Sequence, residues 1–322
     1  MKSYFAPMEG ITTYNYRKAH HSFFPGVDKY FTPFIAPGRN KLFTSREKND
    51  ILPEHNPEFY LVPQILTNQP EDFLKVAEKL KDYGYKELNL NLGCPSGTVV
   101  TKGKGSGFLA YPKELNLFLA EIFEHYTGKL SIKTRIGIDS PEEFDAILDI
   151  YNQYPLEELI IHPRVQKDFY RNTPNRQIFA DALQKSKNPV CYNGDIFTVE
   201  DYEAFVSEFG EDIPLMFGRG LIANPDLVGH IVGINRLNNQ ILKEFHDTIY
   251  DGYEQIMSGE RDVLFKMKEL WFYMIHLFPE AEKYGKQIKK AQKGSDYKAV
   301  VTSLFKGTGV LIQAGFCSLQ GK

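Results

Sequence analysis

Glu87-Leu88-Asn89-Leu90-Asn91-Leu92-Gly93-Cys94-Pro95 is the stretch from which the fold is read. Residues 87–91 form a β-type run. At its C-terminal end the run delivers an asparagine and a cysteine into a turn shaped by Gly93 and Pro95. Working outward, seven further β-type runs occur at 3–6, 30–35, 59–66, 130–135, 158–162, 189–192 and 213–217. Helical patterns separate them. Ser140-Pro141-Glu142-Glu143 combines an N-cap, a first-turn proline and an N3 glutamate. Phe144, Ile147, Leu148 and Tyr151 then share one face. Thr198 and Asp201 open a second helix with Tyr202, Phe205, Val206 and Phe209 inward, and Phe73, Val76, Ala77 and Leu80 mark a third. Parallel strands need crossovers, and helices serve as crossovers. The spacing therefore predicts an α/β fold, a (β/α)8 TIM barrel, over residues 1–235, with a doubly wound open sheet as the alternative. From 236 to 322 the pattern is all-helical. Its strongest stripe runs through Val263, Leu264, Met267, Leu270, Trp271, Met274, Ile275 and Phe278 and stops at Pro279.

A barrel of this kind carries its active site at the C-terminal ends of its strands. Polar residues on buried strands are costly unless paired or used. Here they recur at those ends in nearly every run: Pro7-Met8-Glu9-Gly10, Gln64, Asn91 with Cys94, Lys133 with Arg135, His162-Pro163-Arg164, Asn193-Gly194-Asp195 and Gly218-Arg219-Gly220. The last two place glycines beside polar groups just ahead of a helix. Backbone N–H groups at helix N-termini, together with an arginine, bind phosphate. The pattern predicts a phosphorylated ligand, and flavin mononucleotide (FMN) fits it. The Gly-rich run Gly103-Lys104-Gly105-Ser106-Gly107 reads as a long mobile loop that carries Cys94 over the barrel mouth.

The chain has 322 residues, of which 42% are hydrophobic and 25% charged. This composition excludes disordered and fibrous classes. No apolar run approaches the roughly 18–20 residues that cross a bilayer, and the N-terminus lacks the apolar stretch of a signal peptide. A cytoplasmic protein without membrane contact is expected. The three cysteines, Cys94, Cys191 and Cys317, include no Cys-x-x-Cys pair, which argues against a disulfide framework and a Cys-ligated cluster. Cys191 and Cys317 read as structural, and His20-His21 as surface. No metal site is expected. The net charge of −3 excludes a wholly basic nucleic-acid binder. Residues 226–322 nevertheless hold 13 Lys/Arg against 11 Asp/Glu, and seven lysines stand in 283–306 against the single acid Asp296. Lys283, Lys286, Lys290 and Lys293 recur at helical spacing, which predicts one basic face.

With these residues in order, the sequence resembles the dihydrouridine synthase family. The carrying motifs are Ala6-Pro7-Met8-Glu9-Gly10, the segment Asn89–Pro95 with its Gly-rich sequel, Lys133-Thr134-Arg135, His162, Asn193-Gly194-Asp195 and Gly218-Arg219. The resemblance spans about residues 4–225, and the helical C-terminus fits the family's RNA-binding domain. It implies an FMN enzyme that reduces the uridine C5=C6 bond in tRNA with NADPH. Pro7, Met8, Glu9 and Gln64 are then expected near the flavin ring. Lys133 and His162 would hold its polar edge and ribityl region. Asn193, Gly194, Asp195, Gly218 and Arg219 would serve its phosphate end. Asn91 and Arg135 are expected at the target uracil, with Cys94 as proton donor to C5. Lys286, Lys290 and Lys293 would meet the RNA, and the enzyme is expected to be a monomer. One departure stands after His162: the family usually reads His-Gly-Arg followed by Thr-Arg, and here the order is Pro163-Arg164-Val165-Gln166-Lys167. Pro163 fixes φ and lacks an N–H, so the loop toward the RNA is expected to differ. Two other readings are a dihydroorotate dehydrogenase-like flavin enzyme acting on a free pyrimidine, and a non-catalytic RNA-binding barrel.

Overall fold

The computed structural model describes residues 1–38, 41–56 and 58–311. Its strands are β1 (Ser3–Phe5), β2 (Lys29–Phe31), β3 (Leu61–Val62), β4 (Gln64–Ile65), β5 (Glu87–Leu92), β6 (Lys129–Arg135), β7 (Glu158–His162), β8 (Val190–Tyr192) and β9 (Leu215–Phe217). Every pairing among them is parallel, in the order β3-β2-β1-β9-β8-β7-β6-β5-β4. The two ends of this order, β3 and β4, are halves of a single run interrupted at Pro63. Leu61 and Val62 pair with β2, whereas Gln64 and Ile65 pair with β5. A proline has no N–H to give a ladder. The strand changes partners there, and the Pro63 carbonyl accepts from Asn89 N at 2.9 Å. The sheet thus closes into the expected eight-stranded barrel. The run expected at 30–35 is shorter than its pattern: after Phe31 only Ile35 returns to the sheet, as a bridge to Ile65.

Alternate strand residues point to opposite faces. Tyr4, Ala6, Phe31, Val62, Ile160, Cys191 and Met216 fill the barrel interior. Their strand neighbours, among them Phe5, Leu159, Ile161 and Phe217, join a larger core against the surrounding helices. The helix Pro70–Asp82 buries all four residues of its stripe. The helix after Ser140 begins later than its motif, at Glu143. The Glu143 carboxylate turns back to accept from the amides of Ile138, Asp139 and Ser140, so the proline turn precedes the helix. Thr198 and Asp201 form a reciprocal capping box on helix Val199–Phe209. His20 departs from its surface reading. It lies buried within helix Tyr14–Phe23, held by Tyr30 Oη and the Pro225 carbonyl, both at 2.9 Å. Adjacent residues on a helix diverge, and here that divergence sends His20 into an aromatic cluster.

Four helices follow the barrel: Asn239–Ile256, Glu260–Met274, Ala281–Lys290 and Gly294–Gly307. Val263, Leu264, Met267, Leu270, Trp271 and Met274 are buried as the stripe requires. This layer grips the segment just after β1. Thr13 Oγ1 meets Tyr253 Oη at 3.1 Å, Asn15 Nδ2 donates to Ile249 O at 2.9 Å, and Lys266 Nζ donates to Gly10 O at 2.9 Å. Gly10 has φ +79, and a Cβ there would stand 3.2 Å from that ammonium. The expected lysine face is interrupted. The third helix ends at Lys290, where Lys268 donates to the Ala291 carbonyl and the chain turns. Lys293 therefore precedes the next helix as its N-cap and does not share a helix with Lys283, Lys286 and Lys290. Cys317 lies outside the described residues. Among the described residues, no helix is long and apolar enough to cross a membrane.

Candidate active site

The C-terminal ends of the strands converge on one polar cavity. Its lining includes Pro7 and Met8 after β1, Lys133 from β6, His162 from β7, Asn193, Gly194 and Asp195 after β8, and Gly218, Arg219 and Gly220 after β9. Among the described residues, Lys133 Nζ has no hydrogen-bond or ion-pair partner. Burial, with Arg135 adding to it, draws its pKa down to about 8. An ammonium placed this way is poised for an anionic or strongly accepting ligand.

At the other end of the cavity, Arg164 and Arg219 share the carboxylate of Asp195. Arg164 Nη1 and Nη2 reach its two oxygens at 3.0 and 2.5 Å, and Arg219 Nη2 reaches Oδ1 at 2.6 Å. The Arg219 guanidinium also lies 4.5 Å from the ring centre of Tyr170 and 5.3 Å from that of Phe197. His162 Nε2 stands 3.1 Å from Arg164 Nη1. A guanidinium only donates, so this nitrogen accepts and the imidazole is neutral with its proton on Nδ1. Burial, reinforced by Arg135, Lys133, Arg164 and Arg219, pushes the His162 pKa well below its usual value. Two guanidiniums thus share one carboxylate, and with the Lys133 ammonium also in its lining the cavity carries excess positive charge. The amides of Gly194, Gly218, Arg219 and Gly220 meet no acceptor among the described residues. Two of them open the helix Arg219–Ala223, whose first N–H groups have no partner within the helix. At Gly220 a Cβ would collide with the Ile196 carbonyl, so only glycine permits this close packing.

Beside the cavity, a chain of side-chain hydrogen bonds crosses β6, β5 and β4. Asn89 donates to Ser131 Oγ at 2.9 Å, Gln64 to Asn89 Oδ1 at 2.8 Å, and Asn91 to Gln64 Oε1 at 2.7 Å. Asn91 Oδ1 then accepts from the amides of Gly93 and Cys94, at 3.1 and 2.9 Å. Asn91 therefore sets the turn that carries Cys94. The Gly-rich run does not hang over the mouth as a mobile loop. Residues 105–109 are buried, and Ser106 Oγ donates to the Cys94 carbonyl at 2.9 Å. Gly105 has φ +57, and a Cβ there would meet Cys94 O at 2.7 Å. The glycines serve close packing beneath the cysteine. Arg135 donates to the carbonyls of Gly93, Val165 and Phe169 at 3.0, 2.9 and 2.6 Å, which ties the Cys94 turn to the loop after β7. The Cys94 thiol is half-buried, and burial raises its pKa, so it carries its proton at neutral pH.

Gln64 and Glu9, expected near the flavin ring, are not among the residues that line the cavity. Gln64 is fully buried within the hydrogen-bonded chain. Glu9 turns away from the cavity to pair with Arg46 at 2.5 Å. Lys286, Lys290 and Lys293, expected on an RNA-facing surface and not in the cavity, are exposed, and Lys286 pairs with Glu282 at 2.5 Å. Three participants carry no role that the sequence assigns. Arg164 has a visible signal, two residues beyond His162 at a strand end. Tyr170 and Phe197 have none, because an aromatic residue in a loop does not reveal which cation it covers.

The family model for dihydrouridine synthases (Dus) matches residues 4–307. This chain belongs to the dihydrouridine synthase family. It is 28% identical over 230 residues to a probable tRNA-dihydrouridine synthase 1 of Synechocystis sp., covering 70% of this chain and 63% of that protein. It is 26% identical over 223 residues to tRNA-dihydrouridine synthase B of Pasteurella multocida, covering 69% and 66%. It is also 28% identical over 246 residues to the tRNA-dihydrouridine(16) synthase of that organism, covering 72% and 75%. The chain thus spans slightly less than two thirds of the length of the first two relatives. Among solved structures, morphinone reductase superposes with a TM-score of 0.50 at 12% identity, covering 73% of this chain and 86% of its own. That likeness concerns the barrel fold.

Proposed function

We propose that this dihydrouridine synthase family member reduces uridine to 5,6-dihydrouridine in tRNA. It would bind FMN, take its electrons from NADPH, and act as a cytoplasmic monomer. Residues 1–235 would hold the flavin and residues 236–322 would engage the RNA. The observation that carries this reading is the cationic cavity, with its unpartnered Lys133 amine and free amides, beside a protonated cysteine. The residues fit FMN. The amides of Gly194, Gly218, Arg219 and Gly220, with the guanidinium of Arg219, suit a phosphate. Asn193 and Asp195 would serve the ribityl region. Lys133 and neutral His162 would hold the polar edge of the ring, and Pro7 and Met8 would pack on its apolar part. When bound, reduced FMN supplies the hydride that adds to uracil C6.

The chain's own residues supply the rest. Lys133 favours negative charge on the group it faces. Cys94 Sγ gives its proton to uracil C5 as charge develops there, a role a neutral thiol performs as a general acid. Asn91 and Ser106 fix the cysteine turn, and Asn91 keeps a second amide hydrogen for the uracil. Arg135, with its donors on three carbonyls, acts as a positioning residue. In Arg219→Ala the phosphate loses its guanidinium, so the purified variant should carry little flavin. Full flavin occupancy in that variant would overturn the phosphate assignment.

A further inference from the structure

Arg164 stands behind the cavity rather than in its lining, and it is 1% exposed. A buried guanidinium is costly unless its donors are used. Here every one of its nitrogens donates. Nε reaches the carbonyls of Arg171 and Asn172 at 2.9 and 3.1 Å, and Nη2 reaches the Asn172 carbonyl at 2.6 Å. Nη1 and Nη2 together fork onto the Asp195 carboxylate, and Nη1 also meets His162 Nε2 at 3.1 Å. The loop after β7 is shaped around this group: Asn172 stands in the left-handed region at φ +54, and its carbonyl takes two of the donor nitrogens. No donor of Arg164 is left for a ligand, so any effect it has on one passes through its neighbours. His162 is different. It lines the cavity, and its Nδ1 has no hydrogen-bond partner among the described residues.

Resting on the proposed FMN reading, we propose that Arg164 is a positioning residue that locks His162 in the tautomer with its proton on Nδ1, so that the ring offers a donor to the polar edge of the flavin. A neutral imidazole can carry its proton on either nitrogen, and the hydrogen bond made at one of them decides which. Nε2 faces a group that only donates, which leaves the proton to Nδ1. The carbonyl oxygens and N1 of an isoalloxazine edge accept hydrogen bonds. The other tautomer would set a lone pair against them. The fork on Asp195 matters to this role, because two bonds to one carboxylate fix the plane of the guanidinium and hence its aim at Nε2.

The experiment locates the proton by two-bond nitrogen–proton correlation spectra of flavin-free protein with isotopically labelled histidine. The His162 signals are identified by their absence in His162→Gln. At neutral pH the wild type should show Nδ1 protonated and Nε2 bare. In Arg164→Met, with folding checked by thermal melts, the ring should no longer hold that single tautomer. Riboflavin, which has no phosphate, then reads the ring edge apart from the phosphate end. Its affinity should fall about 2- to 10-fold in Arg164→Met, the worth of one hydrogen bond. The same change made on top of His162→Gln should cost nothing further, because a positioning residue acts through its target. A wild type with the proton on Nε2, or on both nitrogens at neutral pH, overturns the proposal, and that outcome needs no variant to fold. So does Arg164→Met that keeps the wild-type tautomer, or a fully additive loss in the double variant, since Arg164 would then only support the fold. If the wild type binds FMN and riboflavin but fails these tests, only the Arg164 assignment falls. If it carries the Nδ1 proton yet binds neither flavin, the FMN reading fails and the donor role with it.

Discussion

Cys94 and Lys133 are both shifted by burial, in opposite directions and with different consequences. The raised Cys94 pKa keeps the thiol protonated through neutral pH. Reoxidation of reduced enzyme by tRNA should hold steady through neutral pH and fall only in alkaline solution, as the donor loses its proton. Cys94→Ala should leave flavin reduction by NADPH intact and slow reoxidation by tRNA about 10²–10⁴-fold. Single-turnover reoxidation at the wild-type rate would remove Cys94 from the mechanism. Lys133 is drawn down to about 8, so without ligand its charged form is a cost to the folded state. The sign follows from proton counts. Between about pH 8 and 10.5 the unfolded chain holds the proton that the folded chain has released, so stability rises with pH there. Flavin-free Lys133→Met should therefore be more stable than wild type at pH 7, by about 3 kcal/mol, and the difference should shrink between about pH 8 and 10.5. Denaturation midpoints on the two flavin-free proteins check this. A flavin-free variant less stable than wild type at pH 7 would contradict the unpartnered state of the amine.

At the scale of elements, the legibility of the sequence follows from the range of the forces involved. The runs at 87–91, 130–135 and 158–162 are readable because both faces are buried and the apolar pattern is strong. The run at 59–66 is readable as one strand, but its partner change at Pro63 is not, since it depends on which neighbours each half meets. The strand-end residues Lys133, His162, Asn193, Gly194, Asp195, Gly218 and Arg219 are visible because polarity at a buried strand end is locally conspicuous. The roles of Asn91, Ser106 and Arg135 in holding the Cys94 turn are hidden, because each acts through backbone atoms that only folding brings near. The lysine spacing misleads across the end of a helix: Lys268, far earlier in the chain, caps the Ala291 carbonyl and ends the periodicity before Lys293. Ion pairs further temper the basic stretch, through Lys283–Glu280, Lys286–Glu282 and Lys298–Glu254. Exposed pairs of this kind contribute little stability and exchange readily for a phosphate. Changing Lys286, Lys290 and Lys293 together to Glu should weaken tRNA binding and flatten its salt dependence, by about 0.7–0.9 for each phosphate that is no longer neutralised. Salt titrations that match wild type in both affinity and slope would place the RNA on another surface.

Over the whole molecule, the barrel and the helical layer share one continuous core and meet at the segment after β1. That segment carries Pro7 and Met8 into the cavity, and Lys266, Tyr253 and Ile249 of the helical layer hold its continuation. The layer proposed to engage RNA thus also braces one wall of the proposed flavin site. This arrangement suits a substrate whose reactive base must leave a large structured RNA and reach a ring inside the barrel. It does not require that a free pyrimidine be recognised. The most direct measurement follows from this. Flavin-loaded protein is reduced with one equivalent of NADPH under anaerobic conditions, then mixed with an unmodified tRNA transcript. The flavin absorbance should return, and mass spectrometry should find a uridine heavier by two hydrogens in matching amount. Flavin that stays reduced with tRNA, but reoxidises with a free pyrimidine such as orotate, would contradict the account.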